Sequence, residues 1–443
     1  TVPHLVKPLP FVLPFYKAGA HSKTALRAGM VLYDVLSYDK SVPRHRTFSR
    51  RQAIEMLPGI REEGLQGAAR YYDAQVEYSE RLCVELMLAA REAGALTLSY
   101  ARVTGIEIDG TVVRGARIVD ELTGIEHMVS ARVVVNVSGP WVDDVLASTP
   151  EGSRKWMGGT KGTHLVVRPF PSAPADAMYY ESDDGRPMMI IPWLGNYLIG
   201  STDIRFSGDL DTVSADEGEI DYILYETNKV FPGSGLTRDS VLYWYTGVRP
   251  LPFVDAERTA DISRRHDIHD HAPNVTGLIS VIGGKLTTFR ALAGHTHAAI
   301  SKYVPLRPST LSDARLPGFA RQAQPSAGID PGLAARLDRI YGARAAKVAG
   351  IIADEPESVE VLDERTGLIA AEVLLAVREE EALRLGDVVQ RRVMVGWDAD
   401  LGRDCMDAVA GVMSRELGWT DADIAREKAD YEQYLTRFQV VQS

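Results

Sequence analysis

Hydrophobic residues recur at every third or fourth position over residues 77–93, which is the spacing of one face of an α-helix. Gly94 follows directly, and glycine is the residue that most often terminates a helix. Over residues 96–132 apolar and polar residues alternate, with Asp-Gly and Thr-Gly pairs between the alternating stretches. This pattern predicts one strand followed by a three-stranded antiparallel meander. The valine-rich stretch 133–137 predicts a further, fully buried strand.

The middle and the end of the chain differ in their patterns. Residues 150–275 contain aromatic and β-branched segments separated by Gly, Pro and Asp clusters, which predicts a mostly antiparallel sheet. Residues 306–327 are rich in Pro, Ser and Gly and predict a linker. Beyond residue 328 the helical spacing returns. The chain is therefore predicted to be an α/β protein with an antiparallel sheet domain and an all-α C-terminal domain.

Composition and charge exclude several classes of protein. The chain has 443 residues, of which 45% are hydrophobic and 25% charged, as expected for a soluble protein of two or three domains. The net charge of -11 argues against a general nucleic-acid binder. Cys83 and Cys405 are the two cysteines, and their separation suggests neither a disulfide framework nor a zinc site. The cysteine content fits a reducing cytoplasm, and no run of about twenty apolar residues is present, so we expect no membrane-spanning helix, while contact with a membrane surface stays open.

The sequence VIGGKLTTFR, residues 281–290, predicts a buried strand, a glycine turn and the start of a helix. A phosphate loop that binds nucleoside triphosphates is excluded, since Ile279 and Leu286 stand where it requires Gly and Ser or Thr. The two glycines still allow a ligand to approach the backbone, and the helix N-terminus favours negative charge. The alternative is an ordinary strand-to-helix turn with Lys285 in water.

The segment VVVNVSGPWVDDV repeats this strand-to-helix pattern, with Gly139 at the turn and Pro140 at the first helical position. Taken alone, the segment indicates only an α/β corner. His164, in the segment GTKGTHLVV, is the type of side chain that moves protons near neutral pH, although a single histidine is more often structural. Arg249 precedes a proline that ends a strand, and Arg264 follows in ISRRH. Surface ion pairs are the alternative for both arginines, and no metal site is predicted.

Taken together and in this order, eight segments resemble the FAD-dependent glycerol-3-phosphate dehydrogenases. The segments are PHLVKPLPF, YYDAQV, RVVVNVSGPWVDDV, KGTHLVV, IIPWLGNYLIGSTD, TGVRPLPF, ISRRH and GGKLTTFRALA. The resemblance runs from about residue 3 to 300, and the helical tail resembles that family's C-terminal domain. The family also has an N-terminal GxGxxG segment, which this sequence does not contain. We therefore expect the chain to be a piece of a larger flavoenzyme.

The resemblance implies an FAD-binding fold with an incomplete Rossmann-like sheet. The implied division is a substrate domain at 1–72 and 145–272, the remainder of the FAD-binding domain at 73–144 and 273–305, a linker at 306–327 and a helical domain at 328–443. The resemblance further implies that Arg249, Arg264 and Lys285 hold the substrate and that His164 lies at the reacting centre. The implied FAD contacts are Val103, Ser138, Gly139, Trp141, Gly283, Gly284, Lys285, Leu286, Thr287 and Thr288.

The implied reaction is oxidation of sn-glycerol 3-phosphate to dihydroxyacetone phosphate, with electrons passed to a quinone. Contact with the inner face of the plasma membrane and a homodimer are further expectations from the resemblance. Three alternatives stay open at this point: an oxidase that uses oxygen, an amino-acid or hydroxy-acid oxidase whose arginines clamp a carboxylate, and a non-catalytic binding protein. Without the GxGxxG segment, FAD binding by this chain alone is itself a question.

Overall fold

A computed structural model describes residues 2–17, 23–36, 38, 42–255, 262–307, 315–319 and 329–438, without the side chains of 23–27. Seventeen strands are assigned within these residues. In chain order they are β1 Val6–Tyr16, β2 Arg46–Ser49, β3 Leu65–Val76, β4 Ala101–Asp109, β5 Val112–Asp120, β6 Glu126–Ser130, β7 Val134–Asn136, β8 Thr160–Val167, β9 Ala177–Glu181, β10 Pro187–Trp193, β11 Asn196–Gly200, β12 Ile204–Arg205, β13 Val241–Arg249, β14 Asp267–Asp270, β15 Leu278–Ile282, β16 Val361–Asp363 and β17 Leu368–Ile369.

Eleven α-helices are assigned within the same residues. They are α1 Lys23–Leu36, α2 Arg50–Met56, α3 Ser79–Glu92, α4 Val142–Leu146, α5 Glu217–Val230, α6 Phe289–Ile300, α7 Pro331–Tyr341, α8 Ala345–Asp354, α9 Ala370–Glu379, α10 Met406–Leu417 and α11 Asp421–Leu435. The helix predicted at 77–93 is α3, and the helical C-terminal domain is confirmed by α7 to α11. None of the described helices is long and apolar enough to cross a bilayer.

The largest sheet has nine strands in the order β12-β8-β11-β10-β9-β1-β3-β2, with β13 also paired to β8. All pairs are antiparallel except β1 with β9, so the mostly antiparallel sheet predicted for the middle of the chain is confirmed. One face packs on α2 and α5 through residues such as Leu165 and Ile223. The opposite face packs on the C-terminal helices through residues such as Val166 and Tyr243. Because side chains alternate between the faces of a strand, successive residues of β8 belong to different cores.

A second sheet has the order β14-β15-β7, in which β15 and β7 are parallel. Within the described residues β7 has one strand neighbour, so it is an edge of this sheet. The prediction that 133–137 is buried throughout is therefore wrong: Asn136 is buried, but Val137 is 64% exposed. The predicted meander is confirmed as the separate sheet β4-β5-β6, whereas the strand expected just before it, at 96–100, is not formed.

The C-terminal domain is joined to α3 by a buried ion cluster. The guanidinium of Arg81, which is fully buried, donates two hydrogen bonds of 2.6 Å to the carboxylate of Glu380. Arg344 lies 3.0 Å from the same carboxylate, and Arg81 also contacts Glu85 at 3.3 Å. Burial alone would raise the pKa of Glu380, but Arg81 and its hydrogen bonds outweigh burial and hold that pKa below its usual value. This cluster fixes the helical domain against the rest of the chain.

Parts of the predicted linker at 306–327 lie outside the described residues, namely 308–314 and 320–327. The intervening residues 315–319 pack on the chain. Leu316 is buried with Leu5 and Leu337, and the backbone N–H of Gly318 donates to Glu85 at 2.6 Å. This short segment therefore lies against the same ion cluster.

Candidate active site

The turn after β15 is built as the sequence predicts. Gly283 and Gly284 have φ values of 78° and 114°, which side-chain-bearing residues rarely adopt. A Cβ on Gly283 would lie 2.8 Å from the carbonyl oxygen of Arg265, so the chain passes too closely there for any other residue. A 3₁₀ turn at Leu286–Thr288 leads into α6, and residues 285–288 are exposed. The turn thus leaves its backbone and the Lys285 side chain accessible to solvent.

The turn after β7 is held by Asn136. Its side chain donates to the carbonyl of Val142 at 3.1 Å and accepts from the Ser138 hydroxyl at 2.6 Å. A 3₁₀ turn at Gly139–Trp141 follows, and the first turn of α4 contains Asp143 and Asp144. Because β7 and β15 are parallel, both turns leave the same edge of the sheet. Ligands of open α/β sheets bind at this edge, outside the carboxyl ends of the strands.

Two arginines from different segments converge on one carboxylate. Arg249, the last residue of β13, donates to Asp203 Oδ1 at 3.2 Å, and Arg264 donates to Asp203 Oδ2 at 3.3 Å. Arg249 also donates to the hydroxyl of Ser201 at 2.8 Å and to the carbonyl of Thr202 at 3.2 Å. Burial lowers the pKa of Arg249, Asp203 opposes this and Arg264 adds to it, yet the guanidinium stays charged at neutral pH.

His164 lies beside this pair on the same sheet. It is in β8 directly opposite Tyr245 of β13, and the two rings stack with centroids 5.2 Å apart. Its Nδ1 atom is buried, and no described residue hydrogen bonds to it. Burial, with a smaller contribution from the positive charge of Arg249, lowers the pKa of His164 to about 4. The ring is therefore neutral near pH 7 and can accept a proton.

The strand that carries His164 is anchored by a buried carboxylate. Glu219 of α5 accepts hydrogen bonds from the hydroxyls of Thr163 and Thr202, at 3.0 and 2.6 Å. Lys161 lies 2.7 Å from Glu219 and 3.1 Å from Asp216, so this lysine serves the scaffold. Since Thr163 and Thr202 adjoin His164 and Asp203, the anchor fixes the spacing of His164 and Asp203.

A cavity of about 700 Å³ links the second arginine to the glycine turn. Of the residues predicted from the sequence, Arg264, Lys285 and Thr288 line it. The histidines 266 and 295 also line it, and their rings are joined by a hydrogen bond of 2.7 Å. Arg264 thus lines the cavity together with Lys285 and also contacts Asp203, whereas Arg249 and His164, which were expected at the same site, are not among the residues that line the cavity. Within the described residues no group of three or more His, Cys, Asp or Glu is placed to hold a metal ion.

At the edge where the two turns leave the sheet, the residues present are accessible in the way that contact with a flavin would require. Gly139 has a φ of 61° and open space around its Cα, and Trp141 is 39% exposed, so backbone and an aromatic surface are both accessible. Val103, in contrast, lies on β4 in the separate sheet and is 40% exposed. That sheet joins the parallel one through a bridge between Val112 and Thr276.

Sequence reasoning missed Asp203, Ser201 and Tyr245. Asp203 lies 46 and 61 residues from the two arginines that it joins, so no local pattern pairs them. Asp203 lies in IGSTD, which ends one of the segments that carry the family resemblance, and this position was the sequence signal that could have identified it. Tyr245 could have been found by pairing β8 with β13, which requires the sheet register.

The fold and the paired turns define the chain as an FAD-dependent oxidoreductase. The FAD dependent oxidoreductase family matches residues 3–290, and the C-terminal domain of alpha-glycerophosphate oxidase matches residues 276–424. FAD is accordingly the cofactor of the class to which this chain belongs.

Individual relatives narrow the class. A glycerol-3-phosphate dehydrogenase of Synechocystis sp. is 37% identical over 460 residues, which cover 98% of this chain and 83% of that protein. Glycerol-3-phosphate dehydrogenase 2 of Mycobacterium tuberculosis is 33% identical over 97% of this chain and 74% of that protein. The X-ray structure of the glycerol-3-phosphate dehydrogenase from Bacillus halodurans complexed with FAD aligns with a TM-score of 0.80 at 27% identity, over 99% of this chain and 84% of that one. The chain belongs to the glycerol-3-phosphate dehydrogenase family.

Proposed function

We propose that the protein oxidises sn-glycerol 3-phosphate at C2 to dihydroxyacetone phosphate and passes the electrons to a quinone. The relatives are named as glycerol-3-phosphate dehydrogenases, which supports sn-glycerol 3-phosphate as the substrate. The observation in this chain that supports it most directly is the convergence of Arg249 and Arg264 on Asp203, beside a neutral histidine.

The charge of the site suits a phosphate monoester. The cavity lining and the Arg249–Asp203 contact together hold five positive side chains, of Arg249, Arg264, Arg265, Lys285 and Lys302, and two negative ones, of Asp203 and Asp267, so the site carries an excess of positive charge. A phosphate monoester carries close to two negative charges near neutral pH, whereas a carboxylate carries one. Guanidinium groups also offer paired donors that match phosphate oxygens. These features favour the phosphate ester over an amino acid or hydroxy acid.

His164 is proposed to accept the proton of the substrate's C2 hydroxyl. Its pKa of about 4 keeps it unprotonated before the substrate binds. A dianion next to Arg249 offsets the positive charge that helps to lower this pKa, so substrate binding makes the imidazole a stronger base. When the hydroxyl proton moves to His164, the hydride at C2 leaves with two electrons and a ketone remains.

FAD, when bound, supplies the acceptor for that hydride. We propose that residues 138–141 and 283–288 hold it, together with Val103, and that the ammonium of Lys285 favours the negative charge that develops during reduction. The domain division given above, with the cofactor domain at 73–144 and 273–305, is proposed with this assignment. Arrangement as a homodimer at the cytoplasmic face of a membrane is proposed from the family resemblance.

The experiment is steady-state oxidation of sn-glycerol 3-phosphate by the FAD-loaded protein, with glycerol, lactate and glycine as comparison substrates. Quinone reduction and hydrogen peroxide are measured in the same reaction. We expect turnover with the phosphate ester and reduction of the quinone. Peroxide formation without quinone reduction would instead identify an oxidase, and failure of the FAD-loaded protein to oxidise any of the four compounds would favour a binding protein.

A further inference from the structure

The cavity beside the glycine turn extends beyond the groups that the proposed reaction uses. Neither Arg249 nor His164 lines it. Its volume is about 700 Å³, and cavities of about 300–1,000 Å³ hold ligands of drug size, so a three-carbon phosphate ester fills only part of it. Five charged or polar residues of its wall, from β14, the residues before it and α6 with the turn that follows, have no part in the proposed reaction. They are Arg265, His266, Asp267, His295 and Lys302.

Positive side chains dominate this cavity, although the chain as a whole has a net charge of -11. The cationic residues that line it are Arg264, Arg265, Lys285 and Lys302, and the acidic one is Asp267. At the border, Asp203 and Asp270 pair with Arg264 and Lys302 respectively. No described carboxylate pairs with the other two cations, Arg265 and Lys285. Like charges around one cavity repel each other, and an anion bound between them removes that repulsion.

Two histidines in the same wall share one hydrogen bond. His266 Nε2 and His295 Nδ1 are 2.7 Å apart, and no described residue hydrogen bonds to the second nitrogen of either ring. A neutral imidazole has one N–H and one acceptor nitrogen, so whichever ring donates the shared bond, the other keeps its N–H for a further partner. Uptake of one proton by the pair supplies a second such N–H. The pair can therefore donate one hydrogen bond to an oxyanion when it is neutral, and two when it is protonated once.

We propose that this part of the cavity binds a second phosphate group, separate from the phosphate of the reacting substrate. Arg265, Lys302 and the histidine pair supply its donors, and their charge and hydrogen-bonding capacity match an oxyanion. The occupant is inorganic phosphate or a second molecule of the phosphate ester, because both present the same group. The inference goes beyond the proposed reaction and does not require it, because anion binding is measured without turnover.

The first test is isothermal titration calorimetry of the full chain with inorganic phosphate and, separately, with sn-glycerol 3-phosphate. We expect two binding events for phosphate in the native chain. The double variant Arg265→Gln, Lys302→Gln should weaken one of them about tenfold, since two exposed charged contacts are lost. Arg249→Gln should leave that event in place. Both substituted side chains of the double variant are exposed, so the fold stays intact.

The ester titration separates the two occupants. Weaker binding of phosphate and ester alike in the double variant supports a site for either molecule, and a loss confined to phosphate supports a site for the inorganic ion. Arg51→Gln is the matched control, because Arg51 is an exposed arginine that pairs with Glu55 on α2, and its binding should equal that of the native chain. A single event that Arg249→Gln abolishes and the double variant leaves unchanged would overturn the proposal.

The second test measures sulfate affinity between pH 6 and pH 8, a range in which sulfate keeps both of its charges. The groups that face the histidine pair across the cavity are Arg264, Arg265, Asp267, Lys285 and Lys302. Side chains of these types do not ordinarily titrate in this range, whereas histidine does. An anion favours the protonated pair, so we expect sulfate affinity at the cavity to rise about fivefold from pH 8 to pH 6. His295→Asn should remove this rise, and an equal rise in that variant would show that the anion does not contact the pair and would refute the site as proposed.

Discussion

Replacing Arg249 with glutamine tests the site at its most constrained residue. The side chain is 26% exposed and donates to Asp203, Ser201 and Thr202. Arg264 shares the same carboxylate but is 45% exposed. Glutamine removes the positive charge and the paired donors while it keeps a polar side chain. We therefore expect a large loss of substrate affinity in the Arg249 variant and a small loss in the matching Arg264 variant.

The expected changes in KM follow from how deeply each arginine side chain is buried. A hydrogen bond to a charged group contributes about 1.5–3 kcal/mol when it is shielded from water, which corresponds to a rise of roughly 10- to 150-fold in KM. An exposed ion pair contributes about 0.2–1 kcal/mol, so Arg264→Gln should raise KM by roughly 1.5- to 5-fold. Arg249→Lys should lie between the native protein and the glutamine variant, since it keeps the charge but loses the planar pair of donors.

The assay is steady-state kinetics on the FAD-loaded protein with sn-glycerol 3-phosphate and, separately, with glycerol. Glycerol lacks the phosphate, so the ratio of the two KM values isolates the phosphate contact from general damage. Arg186→Gln serves as the control because Arg186 pairs with Asp184, away from this site. An unchanged KM for the phosphate ester in Arg249→Gln, or an equal rise for glycerol, would refute the assignment of Arg249 to the phosphate.

Three other predictions concern neighbouring groups and the domain contact. His164→Asn should lower kcat by roughly 10²- to 10⁴-fold with little change in KM, because the proposed proton acceptor is removed. In Arg249→Gln the acid limb of the pH profile of kcat/KM should move to higher pH, because the positive charge of Arg249 is one cause of the lowered pKa of His164. Asp203→Asn should lower the melting temperature of the ligand-free protein and increase its stabilisation by phosphate, because two arginines then lack their shared carboxylate; equal ligand-induced shifts in both proteins would contradict this. Glu380→Gln should reduce the free energy of unfolding in urea by about 3–5 kcal/mol at pH 7, because Arg81 stays buried without its partner. Since the pKa of Glu380 is lowered by folding, its contribution is complete above about pH 4.3 and is lost as the pH falls below that value, which unfolding curves at several pH values would show.

Much of the local structure could be predicted from the sequence. The helix expected at 77–93 is found at Ser79–Glu92, and both glycine turns follow their strands as expected. Helix spacing, glycine at turns and proline at the first helical position depend on neighbouring residues alone, so their effects can be seen in the chain directly. Arg249 was also expected at the end of its strand, and β13 does end there.

Predictions that depended on distant contacts were less accurate. The valines at 133–137 were expected to be buried, but β7 is an edge strand within the described residues and Val137 is exposed. The apolar character of a segment does not determine which strands pair with it in the folded sheet. The stretch 96–100 alternates like a strand and yet forms none, because pairing requires a partner of matching register.

By itself, the sequence determined helix α3, the meander β4-β5-β6, the two glycine turns and the helical character of the C-terminal domain, and the family resemblance pointed to the candidate site residues. Only the tertiary structure brought Arg249 and Arg264 to opposite oxygens of Asp203 and set His164 against Tyr245. The physical reason is the distance along the chain over which each effect acts. Backbone propensities act over a few residues, whereas the charge balance and the pKa values of this site arise from side chains that sheet pairing brings together from distant parts of the chain.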